Sequence, residues 1–132
     1  MGETPRVLVV EDSKTDVFLI REALESAGVR ARIDVVHDGQ AALRFLDEEA
    51  RPALVLLDLN LPKYSGREVL SHIRTNLRTK DLAVLVVTSS ELSQDREELT
   101  ELGFDGYFQK PSNYAAFLKL GPLVKGLLER GK

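Results

Sequence analysis

The sequence predicts an α/β fold in which helices cover both faces of a parallel sheet. Four short apolar runs are rich in Val and Leu and show no polar–apolar alternation, which is typical of strands buried on both faces. They are residues 6–10, 53–57, 83–87 and 106–109. Segments of helical period separate these runs, so strand and helix alternate along the chain. With right-handed crossovers, this alternation gives a doubly wound sheet.

A short further strand and five helices complete the expected alternation. The strand covers 33–36, and the helices cover 14–27, 40–47, 67–76, 94–102 and 114–129. Ser13 and Asp16 have capping-box spacing at the start of the first helix, and Gly28 ends it. The strand order does not follow from the sequence alone. If strand 1 lies beside strand 3, the five-stranded sheet has the flavodoxin-like order 2-1-3-4-5, and Asp12 and Asp58 become neighbours.

Length and composition indicate one domain. The chain has 132 residues, of which 43% are hydrophobic and 30% are charged, so it can bury a single core. We therefore expect one domain over residues 1–132, with no output domain. No apolar run approaches the ~18 residues of a membrane span, and cysteine is absent, which fits a cytoplasmic protein. The net charge of −3 argues against nonspecific binding of nucleic acid.

Polar residues lie at the carboxyl ends of four predicted strands. They are Glu11, Asp12, Asp58, Thr88 and Lys110. Ligands of open parallel sheets bind outside this edge, where these side chains would converge. Carboxylates are ligands that Mg²⁺ prefers, and an ammonium group and a hydroxyl can contact phosphoryl oxygens. The sequence therefore predicts a combined cation and phosphate site.

The order of these residues resembles the receiver domain of bacterial response regulators. That family has an acidic pair after strand 1, Asp after strand 3, Ser or Thr after strand 4 and Lys-Pro after strand 5. More specifically, the small stand-alone regulators that partner phytochrome-type histidine kinases are similar to the segments EDSKTDVFLIREAL, LLDLNLPKYSGREVL and VVTSSELSQD. The resemblance covers residues 5–128 and implies a stand-alone two-component response regulator.

The resemblance also implies how the acidic residues act. Asp58 would accept a phosphoryl group from a kinase phosphohistidine, a reaction whose rate depends on positioning and charge neutralisation. Asp12, Asp58 and the backbone carbonyl of Asn60 would bind Mg²⁺ directly, and Glu11 would act through a bound water. The protein would be a phosphoacceptor that assists its own phosphorylation and dephosphorylation, and not an enzyme acting on other substrates.

Phosphoryl binding and switching are the roles that the resemblance implies for the remaining residues. Lys110 would bridge Asp58 and the phosphoryl oxygens, and Thr88 would donate its hydroxyl to one of them. Movement of Thr88 would leave a space into which Tyr107 turns, which would change the surface of helix 4, strand 5 and helix 5. The resemblance also implies a cis peptide bond before Pro111 that directs Lys110 towards Asp58.

One surface residue is expected to contact the kinase. On a helical wheel of helix 1, Phe18 lies almost opposite the apolar face and about one turn from the predicted site. Receivers present helix 1 to the helices of their kinase, so Phe18 would take part in docking, although a lone exposed aromatic residue is often idle.

A homodimer is expected through helix 4, strand 5 and helix 5, because helix 5 is more apolar than one core-facing stripe requires. The residues expected to face the sheet are Tyr114, Phe117, Leu118, Val124 and Leu128, and those expected on its flank are Leu120, Leu123 and Leu127. A twofold interface would bury this surplus, unless a wide helix is buried within one chain. Pro122 removes a backbone donor inside the helix and predicts a kink or break near 118–121.

Simpler interpretations of the same residues remain open. Strand-end carboxylates can merely solvate a sheet edge, and Asp12 can cap helix 1. Thr88 can be an ordinary strand residue, Lys110 a surface charge and Tyr107 a half-buried strand tyrosine. A pseudo-receiver, which binds partners without phosphorylation, would have the same fold and is the alternative function.

Two other protein classes fit the sequence less well. A hydrolase of the haloacid dehalogenase type needs a second Asp two residues after its nucleophile, where this chain has Asn60. A flavin or nucleotide binder needs a Gly-rich loop after strand 1, where this chain has Glu11 and Asp12. His37 and His72 lie outside the predicted site, and we expect them to be surface or structural residues.

Overall fold

Five parallel strands form one sheet in the computed structural model, which describes residues 4–48, 51–89 and 96–130. The strands are β1 (Arg6–Val10), β2 (Arg32–Val36), β3 (Leu54–Leu57), β4 (Val84–Thr88) and β5 (Gly106–Gln109). Their order is β2-β1-β3-β4-β5, and every pairing is parallel. The predicted fold class and the order 2-1-3-4-5 are therefore confirmed.

Helices connect the strands at the expected places. They are α1 (Lys14–Ser26), α2 (Gly39–Glu48), α3 (Gly66–Thr75), α4 (Arg96–Leu102), α5 (Tyr114–Phe117) and α6 (Leu120–Arg130). The first three begin and end within one residue of the predicted bounds. Gln94, where helix 4 was expected to begin, lies outside the described residues. No helix in the described ranges has the length and apolarity that crossing a bilayer requires.

Apolar side chains fill the space on both faces of the sheet. In β1, Val7 and Val9 belong to the core on one face, and Leu8 and Val10 belong to the core on the other. The first core includes side chains of α1, α5 and α6, and the second includes side chains of α2, α3 and α4. Burial on both faces explains why β1 lacks alternation.

The C-terminal helix is broken where Pro122 predicted a break. Residues 118 and 119 separate α5 from α6, and the Gly121 amide donates to the carbonyl of Leu118 at 3.1 Å. Gly121 lies directly against α1, because a Cβ atom at this position would collide with the carbonyl oxygen of Ala23 and reach within 2.7 Å of the Ala27 Cβ.

The expectation of surplus apolar surface on this helix was wrong for two of the three leucines expected on its flank. Leu120 and Leu127, which were expected on the flank, are buried in the core with Val124. Tyr114, which was expected to face the sheet, is 52% exposed and donates its hydroxyl to Glu22 Oε1 at 3.0 Å. The physical reason is the break: α6 begins after it and packs extensively against α1, which places Leu120, Val124 and Leu127 inside.

Arg74 connects α3 to the segments that lead into two strands. Its Nη1 atom donates to the carbonyls of Lys80 and Leu82 at 2.7 and 2.6 Å, and its Nε atom donates to the carbonyl of Gly103 at 2.9 Å. A weaker contact of 3.4 Å joins Nη2 to Asp105 Oδ2, which itself accepts from the Val84 amide at 2.7 Å. The half-buried guanidinium group thus satisfies backbone carbonyls that lie outside the sheet and helix hydrogen bonds.

Candidate functional site

Backbone hydrogen bonds continue the sheet for one residue past three strands and so fix the site residues. The Glu11 amide donates to the carbonyl of Val36 at 3.0 Å, and the Asp58 amide donates to the carbonyl of Val10 at 3.2 Å. The Lys110 amide donates to the carbonyl of Thr88 at 2.8 Å. The carboxyl ends of β1, β3, β4 and β5 therefore bring the predicted residues to one edge.

Three carboxylates form a candidate metal centre at this edge. Glu11, Asp12 and Asp58 each have an oxygen atom within 4.8 Å of the other two. Glu11 and Asp58 are buried, whereas Asp12 is exposed. Within the described part of the chain, the Asp12 carboxylate has no hydrogen-bond partner. This donor set fits a hard divalent cation, which takes oxygen ligands and keeps several waters.

Lys110 lies among these acids and also contacts a fourth one. Its Nζ atom donates to Glu11 Oε1 at 2.6 Å, to Asp16 Oδ2 at 2.8 Å and to Asp58 Oδ2 at 3.0 Å. Burial lowers the pKa of Lys110, but the three carboxylates outweigh burial and hold it above its ordinary value. The ammonium group therefore remains charged and neutralises part of the acidic group.

Glu11 has the most perturbed carboxylate of the site. Burial raises its pKa from 4.5 to about 7, against the opposing effects of its hydrogen bonds with Lys110 and the Ser13 amide. The Ser13 amide donates to Glu11 Oε2 at 3.1 Å, while Lys110 contacts Oε1. Both oxygens are thus held, and the nearby Asp58 charge raises the pKa further.

The loop after β3 positions Asp58 through its neighbours. The Asn60 amide donates to Asp58 Oδ1 at 3.0 Å, and its side-chain amide lies 3.5 Å from Thr88 Oγ1. Gly66, at the start of α3, lies against the same loop, since a Cβ atom there would collide with the Asp58 carbonyl oxygen and approach Leu59 Cα to within 2.5 Å. Only glycine allows α3 to begin this close to the nucleophile candidate.

Capping interactions in this region confirm the predicted cap at Ser13 but not the full capping box. At α1, the cap is Ser13, whose hydroxyl accepts from the Asp16 amide at 3.2 Å, and Asp12 does not cap the helix. The Asp16 carboxylate, which would complete a capping box, contacts Lys110 instead. A full capping box occurs at α3, where Ser65 and Glu68 each accept from the other's amide.

The structure differs from the expected peptide geometry at Lys110. The described residues contain no cis peptide bond, so the expectation of a cis bond before Pro111 was wrong. The trans backbone already brings Lys110 Nζ within 3.0 Å of Asp58. The long, flexible lysine side chain reaches the acid without a reversal of the chain.

The other predicted residues lie around this edge. Thr88 is buried at the end of β4, and Tyr107 is half-buried in the neighbouring strand β5, opposite Val86. Phe18 is 57% exposed on α1. His37 lies outside the acidic group, although its Nδ1 atom is 3.1 Å from the Glu11 carbonyl oxygen, and His72 lies on α3.

Sequence reasoning missed Asp16 as a member of the site. Its spacing from Ser13 suggested only a helix cap. The available signal was its place in the first turn of α1, which follows directly on the acidic end of β1.

Comparisons with known proteins show the family and the fold of this chain. The protein-family model described as the response regulator receiver domain matches residues 7–120 of the sequence. Response regulator Rcp1 from Synechocystis sp. is 38% identical over 120 residues, which cover 86% of this chain and 82% of that protein. The phosphorylated cyanobacterial phytochrome response regulator RcpA has a similar crystal structure, with a TM-score of 0.89 and 32% identity, covering 98% and 97% of the two chains. The Mn²⁺-bound form of Rcp1 has a TM-score of 0.84 and 36% identity, covering 92% of each chain.

Proposed function

The chain belongs to the response regulator receiver domain family, and on this premise we propose that it is a stand-alone regulator that accepts a phosphoryl group on Asp58 from a histidine kinase. The observation that carries the proposal is the arrangement around Asp58: one oxygen is held by the Asn60 amide and the other by Lys110, beside two further acids. A buried carboxylate next to a cation and a candidate metal centre suits phosphoryl transfer, in which charge neutralisation supplies the rate.

In this proposal Glu11, Asp12, Asp58 and Asn60 would hold Mg²⁺. Asp12 and Asp58 would bind it directly together with the backbone carbonyl of Asn60, and Glu11 would act through a water. When bound, the cation would supply charge neutralisation for the transferred group. The close approach of the three carboxylates supports this assignment, as do the lack of a hydrogen-bond partner for the Asp12 carboxylate among the described residues and the metal in the Mn²⁺-bound structure of Rcp1.

The chain's own residues then position the reacting groups. As a bond forms between an Asp58 oxygen and phosphorus, the bond from phosphorus to the donor nitrogen breaks and its electron pair stays on that nitrogen. Lys110 moves from a carboxylate to a phosphoryl oxygen, and Thr88 donates its hydroxyl to another. Tyr107 turns towards the space that Thr88 leaves and so alters the surface of α4, β5 and the C-terminal helices α5 and α6. The protein acts as a phosphoacceptor that assists its own dephosphorylation.

The decisive test is direct phosphorylation. Native protein incubated with acetyl phosphate and Mg²⁺ should gain the mass of one phosphoryl group, and Asp58→Asn should not. Omission of Mg²⁺ should reduce labelling of the native protein strongly. A native chain that never gains the group would instead favour the pseudo-receiver alternative, in which the fold binds partners without phosphorylation.

Kinase docking through Phe18 is part of the proposal, and the exposure of this side chain supports it. The similarity to phytochrome response regulators suggests a phytochrome-type kinase. Phe18→Ala should slow phosphoryl transfer from the kinase and leave acetyl phosphate labelling unchanged. Equal rates of transfer from the kinase would remove Phe18 from the docking surface. The cytoplasmic location expected from the cysteine-free sequence is kept as part of this proposal.

A homodimer through α4, β5 and the C-terminal helices also remains a proposal. The buried leucines of α6 no longer support it, and its support is now the position of β5, which carries the half-buried Tyr107, at the edge of the described sheet. Sedimentation at micromolar concentration, with and without the phosphoryl donor, tests it. A monomer under both conditions would exclude the dimer, whereas a dimer that ignores phosphorylation would exclude only the coupling to Tyr107.

A further inference from the structure

All three N–H donors of the Lys110 ammonium group are used in this structure. They contact Glu11 at 2.6 Å, Asp16 at 2.8 Å and Asp58 at 3.0 Å. Asp16 differs from the other two, because it lies in the first turn of α1 and outside the group of three carboxylates that suits a cation. Lys110 is therefore held by one carboxylate, Asp16, that does not belong to the candidate metal centre.

A phosphoryl group on Asp58 needs one of these donors. Lys110 can contact a phosphoryl oxygen only after it leaves one carboxylate. Glu11 has a side chain that is 2% exposed, so loss of its cation would leave a buried charge without a partner. The Asp16 side chain is 26% exposed, so water can replace the ammonium group there. Asp58 gives up its own carboxylate charge when the phosphoryl group is attached, so only Glu11 and Asp16 keep a charge that competes for Lys110. Of these two contacts, the one with Asp16 costs less to break.

We propose that Asp16 is a positioning residue that holds Lys110 in the unphosphorylated protein and releases it when a phosphoryl group is attached to Asp58. The inference rests on the proposed function and adds a contact that regulates the same site. The ion pair stabilises only the state before transfer, so it opposes phosphorylation. Asp16 takes no part in the bonds that form and break.

The test is the rate of phosphorylation by acetyl phosphate with Mg²⁺, measured by intact mass. Asp16→Asn keeps the size of the side chain and removes its charge, and its initial rate should exceed that of the native protein about three- to tenfold, because water screens this partly exposed ion pair down to the effect of roughly one ordinary hydrogen bond. Glu22→Gln is the matched control. It also removes one carboxylate charge from α1, but Glu22 contacts the Tyr114 hydroxyl and not Lys110, so its rate should stay within about twofold of the native rate.

The gain must also depend on Lys110. In a Lys110→Gln background, Asp16→Asn should give no increase in rate. An increase that persists without Lys110, or an equal increase in Glu22→Gln, would indicate a general effect of charge and overturn the inference. If the native protein is labelled but Asp16→Asn is labelled at the same rate or more slowly, this inference would be overturned and the proposed function would stand. Absence of labelling in the native protein would overturn the proposed function, and this inference with it.

Discussion

Gly121 and Gly126 lie in the same helix, α6, but only Gly121 is in close contact with another helix. A Cβ atom at Gly121 would collide with the Ala23 carbonyl of α1 and lie 2.7 Å from the Ala27 Cβ, whereas a Cβ atom at Gly126 would meet nothing within 4 Å. Replacement of each glycine by alanine is therefore the same chemical change in two different surroundings. Comparison of the two variants therefore separates the effect of helix propensity on stability from the effect of packing between α1 and α6.

The expected magnitudes follow from these contacts. In a helix interior, alanine is favoured over glycine by about 1 kcal/mol, so Gly126→Ala should raise the free energy of unfolding by roughly 0.5–1 kcal/mol. At Gly121 the same gain is outweighed by overpacking, which costs about 1–3 kcal/mol. A smaller additional cost comes from Pro122, which disfavours a helical conformation for a non-glycine residue before it. We expect Gly121→Ala to lower the free energy of unfolding by about 1–2 kcal/mol.

Urea unfolding followed by circular dichroism at equilibrium measures both changes. With an m-value of about 1–3 kcal/mol/M, typical of small domains, the midpoints of the two variants should differ by roughly 1–2 M, with the native protein between them. Equal midpoints for the two variants, or a more stable Gly121→Ala, would refute the close packing of α6 on α1.

Three further predictions concern stability. Arg74→Ala leaves the carbonyls of residues 80, 82 and 103 without their donor and should lower the free energy of unfolding by about 2–4 kcal/mol. The control Arg78→Ala loses one exposed contact with the Asp47 carbonyl and should change the free energy of unfolding by less than about 0.5 kcal/mol. Equal losses of stability in the two variants would contradict the role of Arg74. Burial raises the pKa of Glu11 from 4.5 to about 7, so the folded state binds this proton more tightly than the unfolded state, and stability is lost as the pH rises from about 4.5 to 7. With metal chelated, Glu11→Gln should match the native protein near pH 4 and exceed it by about 3 kcal/mol above pH 7, a difference that should not appear if Glu11 titrates normally. Asp12→Ala removes charge repulsion with Glu11 and Asp58 without removing a hydrogen bond, so it should stabilise the metal-free protein by about 1 kcal/mol and reduce the increase in melting temperature that Mg²⁺ causes. An increase equal to that of the native protein would exclude Asp12 as a ligand.

The strands and the site residues that follow them could be predicted because each signal is local. Burial on both faces leaves a continuous apolar run such as β1, and the next residue of a buried parallel strand must lie at the carboxyl edge. The sheet order needed an additional condition, the proximity of Asp12 and Asp58, and the structure satisfies it. No side-chain geometry was needed for any of these steps.

The wrong expectations concern features that the local sequence does not encode. Asp16 was expected to complete a cap, but its carboxylate contacts Lys110, which is 94 positions away in sequence. Leu120 and Leu127 of α6 were expected on the flank and are buried, because the direction of a helix after a break is not encoded in its own period. The cis bond before Pro111 was inferred from the resemblance, and the reach of the Lys110 side chain makes it unnecessary.

Asp58 and Lys110, the charged partners at the centre of the site, follow strands that differ in how far they are buried. Asp58 follows β3, an interior strand whose residues are all buried, whereas Lys110 follows β5, a four-residue strand at the sheet edge with only partial burial. Edge strands with few buried contacts open locally at a lower free energy than the whole domain. Fraying of β5 would therefore withdraw the ammonium group while the nucleophile stays in place. Amide hydrogen exchange should be faster in β5 than in β3, and in each such opening event the acids would briefly be left without their lysine.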